Sequence, residues 1–169
     1  MDVIEAIKGR RSIRHYLPHA VEEEKLEQIL DAARWAPSAS NRQPWHFIVV
    51  RDPEMRQRLA KPHPYGRWMT ESPIVIVVLG DSKRSERYHL CDPHNAVMNL
   101  LLAAYSLGLS TCWMGVRDNS FEQTYKELLG IPEHMRVICT VAVGYSTVKA
   151  SSERLPLEKI VSWNRFGGK

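Results

Sequence analysis

"WAPSASNRQPWHFIVV", residues 35–50, changes character twice within one short stretch. Upstream, residues 22–35 repeat apolar side chains at Leu26, Ile29, Leu30 and Ala33, the spacing of a helix with one buried stripe. Pro37 stops that helix, because the residue before a proline is pushed out of the helical region. Downstream, "WHFIVV" (45–50) is a β-branched run bounded by turn residues and reads as a strand. Between the two lie Pro37, Ser38, Ala39, Ser40, Asn41, Gln43 and Pro44. A polar connection from helix to strand is common. The length of this one, and its two amide side chains, also suit a flat heterocycle with donors and acceptors along its edge.

Further strands read at "IVIVVLG" (74–80), "LSTCWMGV" (109–116) and "RVICTVAVGY" (136–145). The first two strands lack strict alternation, which implies burial on both faces and, taken alone, a parallel sheet. Asp2 and Glu5 resemble a capping box for a short helix with Val3, Ile4 and Ile7 on one side and Gly9 as its stop. Asp92-Pro93 reads as a capping side chain followed by proline at the first helical position. The helix it opens, Asn95 to Leu107, is apolar almost all round and belongs in the centre of the molecule or in a subunit interface. Residues 121–129 form another helix, with Phe121, Tyr125, Leu128 and Leu129 on one side and Gly130 and Pro132 as its stop. Residues 146–169 hold too few apolar groups to fold alone. Helices alternating with strands, and no linker or repeat, describe one layered domain over residues 1–169.

Composition narrows the class. The chain is 44% hydrophobic and 25% charged, with a net charge of +4, ordinary values for a soluble globular protein. Its 23 bases are interleaved with 19 acids, without the basic block that a nucleic-acid-binding surface favours. No apolar run approaches the roughly 20 residues that cross a bilayer. "MDVIEAIKGRR" has acids early and no apolar signal region, and Cys91, Cys112 and Cys139 form no CxxC. The expectation is a cytoplasmic protein with reduced thiols.

Chemistry-bearing motifs are few. Neither the dinucleotide fingerprint GxGxxG nor the phosphate loop GxxxxGK[ST] is present. There is no GxSxG, and no cysteine sits in surroundings that mark a nucleophile. His89, Cys91 and His94 in "HLCDPH" match no zinc spacing and read as a loop leading into the next helix. What remains is "GRRSIRHYLP" (9–18), where Arg10, Arg11 and Arg14 crowd around Ser12. Arginine forks suit phosphate. An arginine cluster and an amide-bearing loop together suit a phosphorylated heterocycle, a nucleotide or a flavin.

"RRSIRHY", "WAPSASNRQPWHFIVV" and "NLLLAAYSLGLSTCWMG", in that order and at these distances, resemble the FMN-dependent nitroreductase family. The likeness runs from Ile4 to about Ile160. It implies an α+β fold, a central, mostly antiparallel sheet flanked by helices, in place of the parallel sheet that strand burial alone suggests. It also implies an intertwined homodimer with two FMN sites, each built from both subunits, and a C-terminal tail (about 146–169) that packs on the partner.

Carried over residue by residue, the resemblance gives Arg10, Ser12 and Arg14 the FMN phosphate, ribityl chain and ring edge, with Arg11 in the motif or at the surface. Pro37, Ser38 and Ala39 would pack on the ring system from the other subunit, and Asn41 and Gln43 would hydrogen-bond to it. Met114 and Gly115 would turn backbone amides towards flavin N5, and Arg154 of the tail would return to the phosphate. Two departures stand out. Ser152 occupies a position where relatives often have lysine, leaving Lys149 as a substitute. "KPHPYGRWMTES" (61–72) lacks the lysine or asparagine that relatives use there, with Arg67 as a stand-in.

The implied activity is hydride transfer from NADH or NADPH through FMN to a nitroaromatic, quinone or flavin acceptor, with no catalytic side chain and no metal. Tyr65, Trp68 and Trp113 are candidate aromatic walls of the acceptor pocket. The alternatives are a flavin-binding protein without turnover or a specialised branch of the same fold, such as a flavin destructase or dehalogenase. More remote is a basic nucleic-acid-binding domain.

Overall fold

The computed structural model describes Met1–Gly168; Lys169, the last residue of the expected domain, lies outside the described residues. Its helices are α1 (Val3–Gly9), α2 (Glu23–Arg34), α3 (Pro53–Ala60), α4 (Arg67–Glu71), α5 (Asp92–Ser106) and α6 (Glu122–Leu129). Its strands are β1 (Trp45–Val50), β2 (Ile74–Asp81), β3 (Ser110–Gly115) and β4 (Met135–Gly144), in the sheet order β1-β2-β4-β3. Every neighbouring pair is antiparallel.

The parallel sheet suggested by strand burial is corrected by this pairing, and the reason is visible in the core. On one face Ile76, Val78, Val141 and Val143 pack with Ile29 of α2 and with Leu100 and Ala104 of α5. On the other, Val75, Val77, Val137 and Ala142 pack with Leu59 of α3, Met69 of α4 and Tyr125 of α6. Helices cover both faces, so alternate residues are equally apolar although the strands run antiparallel. β2 is buried along Ile74–Gly80 for this reason.

α3 was not among the elements read from sequence, although "DPEMRQRLA" carries its signals. The Asp52 carboxylate accepts from the Met55 amide at 2.9 Å, and Pro53 opens the helix. A second correction concerns Asp92. Cys91 is the residue before the first turn of α5, and Asp92 is the first residue of the helix, which has no side-chain cap. The carboxylate accepts instead from the Ala39 amide at 3.0 Å.

α5 packs chiefly against α2 and lies over the sheet, with Ala96, Val97, Leu100 and Leu101 buried inside the single chain and Met98 exposed. α1 is different. Only Ala6 is buried, while Val3, Ile4 and Ile7, its apolar side, are half or more exposed.

Candidate active site

Residues 10–14 leave α1 and run along the outer edge of β3. Ser12 forms a parallel bridge to Thr111, and the Ile13 amide donates to the Thr111 carbonyl at 2.9 Å. Ile13 is buried by this docking. Arg11 donates from Nη1 to the Lys8 and Arg10 carbonyls at 2.6 and 2.8 Å, while its Nε is buried without a partner. Burial, then the neighbouring charges of Arg11 and Arg154, push the Arg10 pKa down. Among the described residues no carboxylate forms an ion pair with Arg10, Arg11 or Arg154. Beside them opens a cavity of about 320 Å³ lined in part by Arg10, Arg11, Thr111 and Lys149. A concentration of cations with an orphaned N–H is a place for an anion with several acceptor oxygens.

Arg14 is apart from this cluster in its contacts: its guanidinium lies 4.7 Å from the centre of the Trp68 ring. Arg67 is committed to Glu71 at 2.6 Å. Ser152 accepts a hydrogen bond from Arg154 at 2.7 Å.

The connection from Pro37 to Gln43 is a strained, heavily tied loop. Ser40, Asn41 and Gln43 have φ of 51°, 52° and 49°, a region that costs non-glycine residues energy unless the surroundings enforce it. The enforcement is explicit. Ser38 Oγ accepts from the Gln43 amide at 2.9 Å, and Gln43 Nε2 donates to Asn41 Oδ1 at 3.2 Å. Asn95 of α5 donates to the Pro37 carbonyl at 3.1 Å, beside the Asp92–Ala39 bond.

This loop feeds β1, one edge of the sheet, whereas Gly115 ends β3, the other edge, with Ser12 running beside it. The loop and Gly115 lie towards the same end, since Trp45 opposes Gly80, Gly80 opposes Arg136, and Gly115 opposes nearby Cys139. Ser12, bridged to Thr111, lies towards the other end, where Thr111 opposes Val143 and Val143 opposes Ile74. Three strand spacings, about 14 Å, separate the two edges. One chain therefore presents the candidate residues as two half-sets.

At the end of β3, Met114 buries its side chain in the core and Gly115 is exposed. A Cβ on Gly115 would meet nothing within 4 Å, and its φ is not left-handed. The chain's own packing gives no reason for a glycine there, and close approach of a ligand does. The Gly115 carbonyl pairs with Nε2 of His63 at 3.1 Å. Trp113 faces the α2–α5 side, with its ring 5.4 Å from that of His94, while Tyr65, on the loop next to His63, and Trp68, in α4, stack at 5.1 Å and 7°. The three candidate aromatic walls are thus divided between two places. His89 and His94 bond through Nδ1 to nearby carbonyls, and no group of metal-holding side chains occurs among the described residues.

A protein-family description, "Nitroreductase family", matches residues 7–63 and 61–145. The chain belongs to the nitroreductase family. It is 40% identical over 168 residues to a Methanothermobacter thermautotrophicus protein named "Putative NADH dehydrogenase/NAD(P)H nitroreductase", a match covering 94% of this chain and 88% of that one. Its fold superposes on the FMN-dependent nitroreductase of Clostridium difficile R20291 with a TM-score of 0.89 at 32% identity, covering 96% of this chain and 99% of that one. A Desulfovibrio desulfuricans structure, described as a "putative nitroreductase in complex with FMN", superposes with a TM-score of 0.84 at 33% identity, covering 94% of each chain.

The α+β nitroreductase fold expected from the sequence is the fold found. Within this nitroreductase, the sequence reading passed over two residues that organise the candidate site. Asp92 was read as a cap and is the tether of the 37–43 loop. His63 sits between two prolines in "KPHPYG", and only its burial, 6% exposed, distinguishes it from an ordinary loop histidine.

Proposed function

We propose that this nitroreductase binds FMN and transfers a hydride from NADH or NADPH to a nitroaromatic, quinone or flavin acceptor. The observation that carries this is the unbalanced cluster of Arg10, Arg11 and Arg154 on the β3 edge that ends at the open backbone of Gly115. The residues fit the cofactor: the buried, partnerless Nε of Arg11 and the uncompensated cations suit a phosphate, and the open space at Gly115 admits a flat ring. FMN, when bound, supplies the hydride chemistry. The protein's part is binding and orientation. Arg10, Arg11, Ser12 and Arg154 hold the phosphate end, with Lys149 at the rim. Arg14 supplies positive charge near the ring edge and is steadied by Trp68. The backbone of Met114 and Gly115 forms the floor, and Arg67, bound to Glu71, stays at the periphery.

We further propose that the site is shared in a homodimer. The half-set formed by Pro37, Ser38, Ala39, Asn41 and Gln43 lies too far across the sheet to close over its own Gly115, and a second copy supplies it. Large apolar side chains without cover support this: Val3, Ile4 and Ile7 on α1, and Leu155, Leu157, Ile160, Trp163 and Phe166 on the tail. The end of the tail bonds within itself, the Trp163 amide donating to the Gly168 carbonyl at 3.0 Å. A partner subunit is the surface that would cover it. Among the described residues no helix is long and apolar enough to cross a membrane.

The test is anaerobic titration of the purified, flavin-loaded protein with NADH and with NADPH. The yellow absorbance bleaches with at least one of them and returns on adding a nitroaromatic or quinone. Flavin that neither nucleotide bleaches would mark a binding protein without turnover, and a colourless protein that takes up no FMN would refute the flavin reading.

A further inference from the structure

His63 makes two hydrogen bonds that fix its protonation by elimination. The Tyr65 backbone N–H lies 3.0 Å from Nδ1, and an amide can only donate, so Nδ1 is the bare nitrogen. Nε2 lies 3.1 Å from the Gly115 carbonyl, which can only accept, so Nε2 carries the proton. The imidazole is neutral, and burial pushes its pKa down in the same sense. The ring is held at 4.9 Å and 57° from Phe121. The loop is tight as well, since a Cβ on Gly66 would lie 1.9 Å from the Ala60 carbonyl oxygen. Through one side chain, then, the end of β3 is fastened to the segment that runs through Tyr65 into α4, where the rings of Tyr65 and Trp68 stack and Arg14 lies over the latter.

We propose that His63 is a positioning residue, whose neutral imidazole clamps the Gly115 carbonyl and the Tyr65 amide so that the β3 floor and the aromatic shelf keep a fixed separation around the flavin ring. This rests on the flavin reading above. It assigns a task to "KPHPYG" that the resemblance left open. His63 touches neither substrate nor cofactor in this scheme; it acts through Gly115.

Three variants separate the contacts. His63→Phe keeps a ring against Phe121 and loses both hydrogen bonds. His63→Asn keeps an acceptor near Tyr65, and His63→Gln keeps a donor that reaches Gly115. In the isotope-labelled apoprotein, wild-type His63 shows the nitrogen shifts of a bare Nδ1 and a protonated Nε2, and His63→Phe moves the Gly115 and Val116 amide resonances. In the loaded protein, FMN affinity in His63→Phe falls about tenfold, the size of one lost hydrogen bond. Its flavin midpoint potential also shifts, and His63→Gln recovers most of both changes. An inverted tautomer, or wild-type affinity and potential in His63→Phe and His63→Asn, overturns the proposal. A wild-type protein that binds no FMN overturns the flavin reading and, with it, any role of His63 towards a flavin. The apoprotein resonances report the clamp independently of that outcome.

Discussion

The Asp92 carboxylate accepts the Ala39 amide at 3.0 Å across 53 positions of chain, and this bond holds a loop of left-handed residues against α5. Asp92→Ala strands a half-buried N–H, which costs about 1–3 kcal/mol. The melting temperature of the apoprotein should drop by roughly 2–10 °C, and FMN affinity should fall with it if the loop closes over the ring. Asp92→Asn keeps an oxygen acceptor and should lie near wild type. Equal melting temperatures for wild type and Asp92→Ala would show that the loop holds its shape without the tether.

The arginine cluster predicts opposite effects on the empty and loaded protein. Arg10→Ala and Arg154→Ala each remove a charge-assisted contact, so FMN binding should weaken about ten- to hundredfold in each. The empty Arg10→Ala variant should melt no lower than wild type, because a partly buried cation with two cationic neighbours has been removed. Inorganic phosphate should stabilise wild-type apoprotein more than either variant. Arg10→Ala combined with Arg14→Ala should be folded and flavin-poor; full flavin occupancy in that double variant would place the phosphate elsewhere.

Acid stability should depend on Glu122. Burial pushes its pKa up, but hydrogen bonds from Arg136 and from the Asp118 and Val137 amides outweigh burial and hold it below the usual carboxylate range. A carboxylate lowered in the folded state stabilises the fold above its unfolded pKa of about 4.3, and that stability fades as pH falls through the lower folded value. Urea midpoints of wild type and Glu122→Gln should therefore differ at pH ~6 and converge below pH ~4. A difference that stays constant across this range would remove the carboxylate charge from the explanation.

The exposed tail predicts an assembly effect. Phe166 is fully exposed in the single chain and Trp163 is 66% exposed. Trp163→Ser combined with Phe166→Ser should shift sedimentation from dimer towards monomer and lower flavin content in parallel. A variant that stays a dimer with full flavin would mean that the tail is not what joins the copies.

The strands were legible because β-branched runs bounded by glycine, proline and polar residues have few alternatives, and "RVICTVAVGY" lies almost wholly within β4. Their direction was not, because Val75 and Ile76 are equally apolar whether helices cover both faces of a parallel or an antiparallel sheet. Arg10 and Ser12 announced themselves by crowding and by a motif. His63 and Asp92 did not, since nothing local to "KPHPYG" or "HLCDPH" says that their partners are Gly115 and Ala39. Long-range partners of single polar side chains are set by the packing of whole elements, and that is where reading along the chain loses them. The start of α3, by contrast, is written locally, in the Asp52 cap and in Pro53 at the first helical position.

Gly115 has a cost that the isolated chain need not bear. With an ordinary φ and empty space around its missing Cβ, alanine at this position would be tolerated by the fold. It would also trim the entropy of the unfolded chain and add up to about 1 kcal/mol of stability. A screen for thermostability alone would therefore drift towards alanine at residue 115 and enrich sturdier proteins with less room at the end of β3. Under the proposed placement of the flavin, durability and activity pull in opposite directions at this one α-carbon, which makes it a position to hold fixed when the enzyme is engineered.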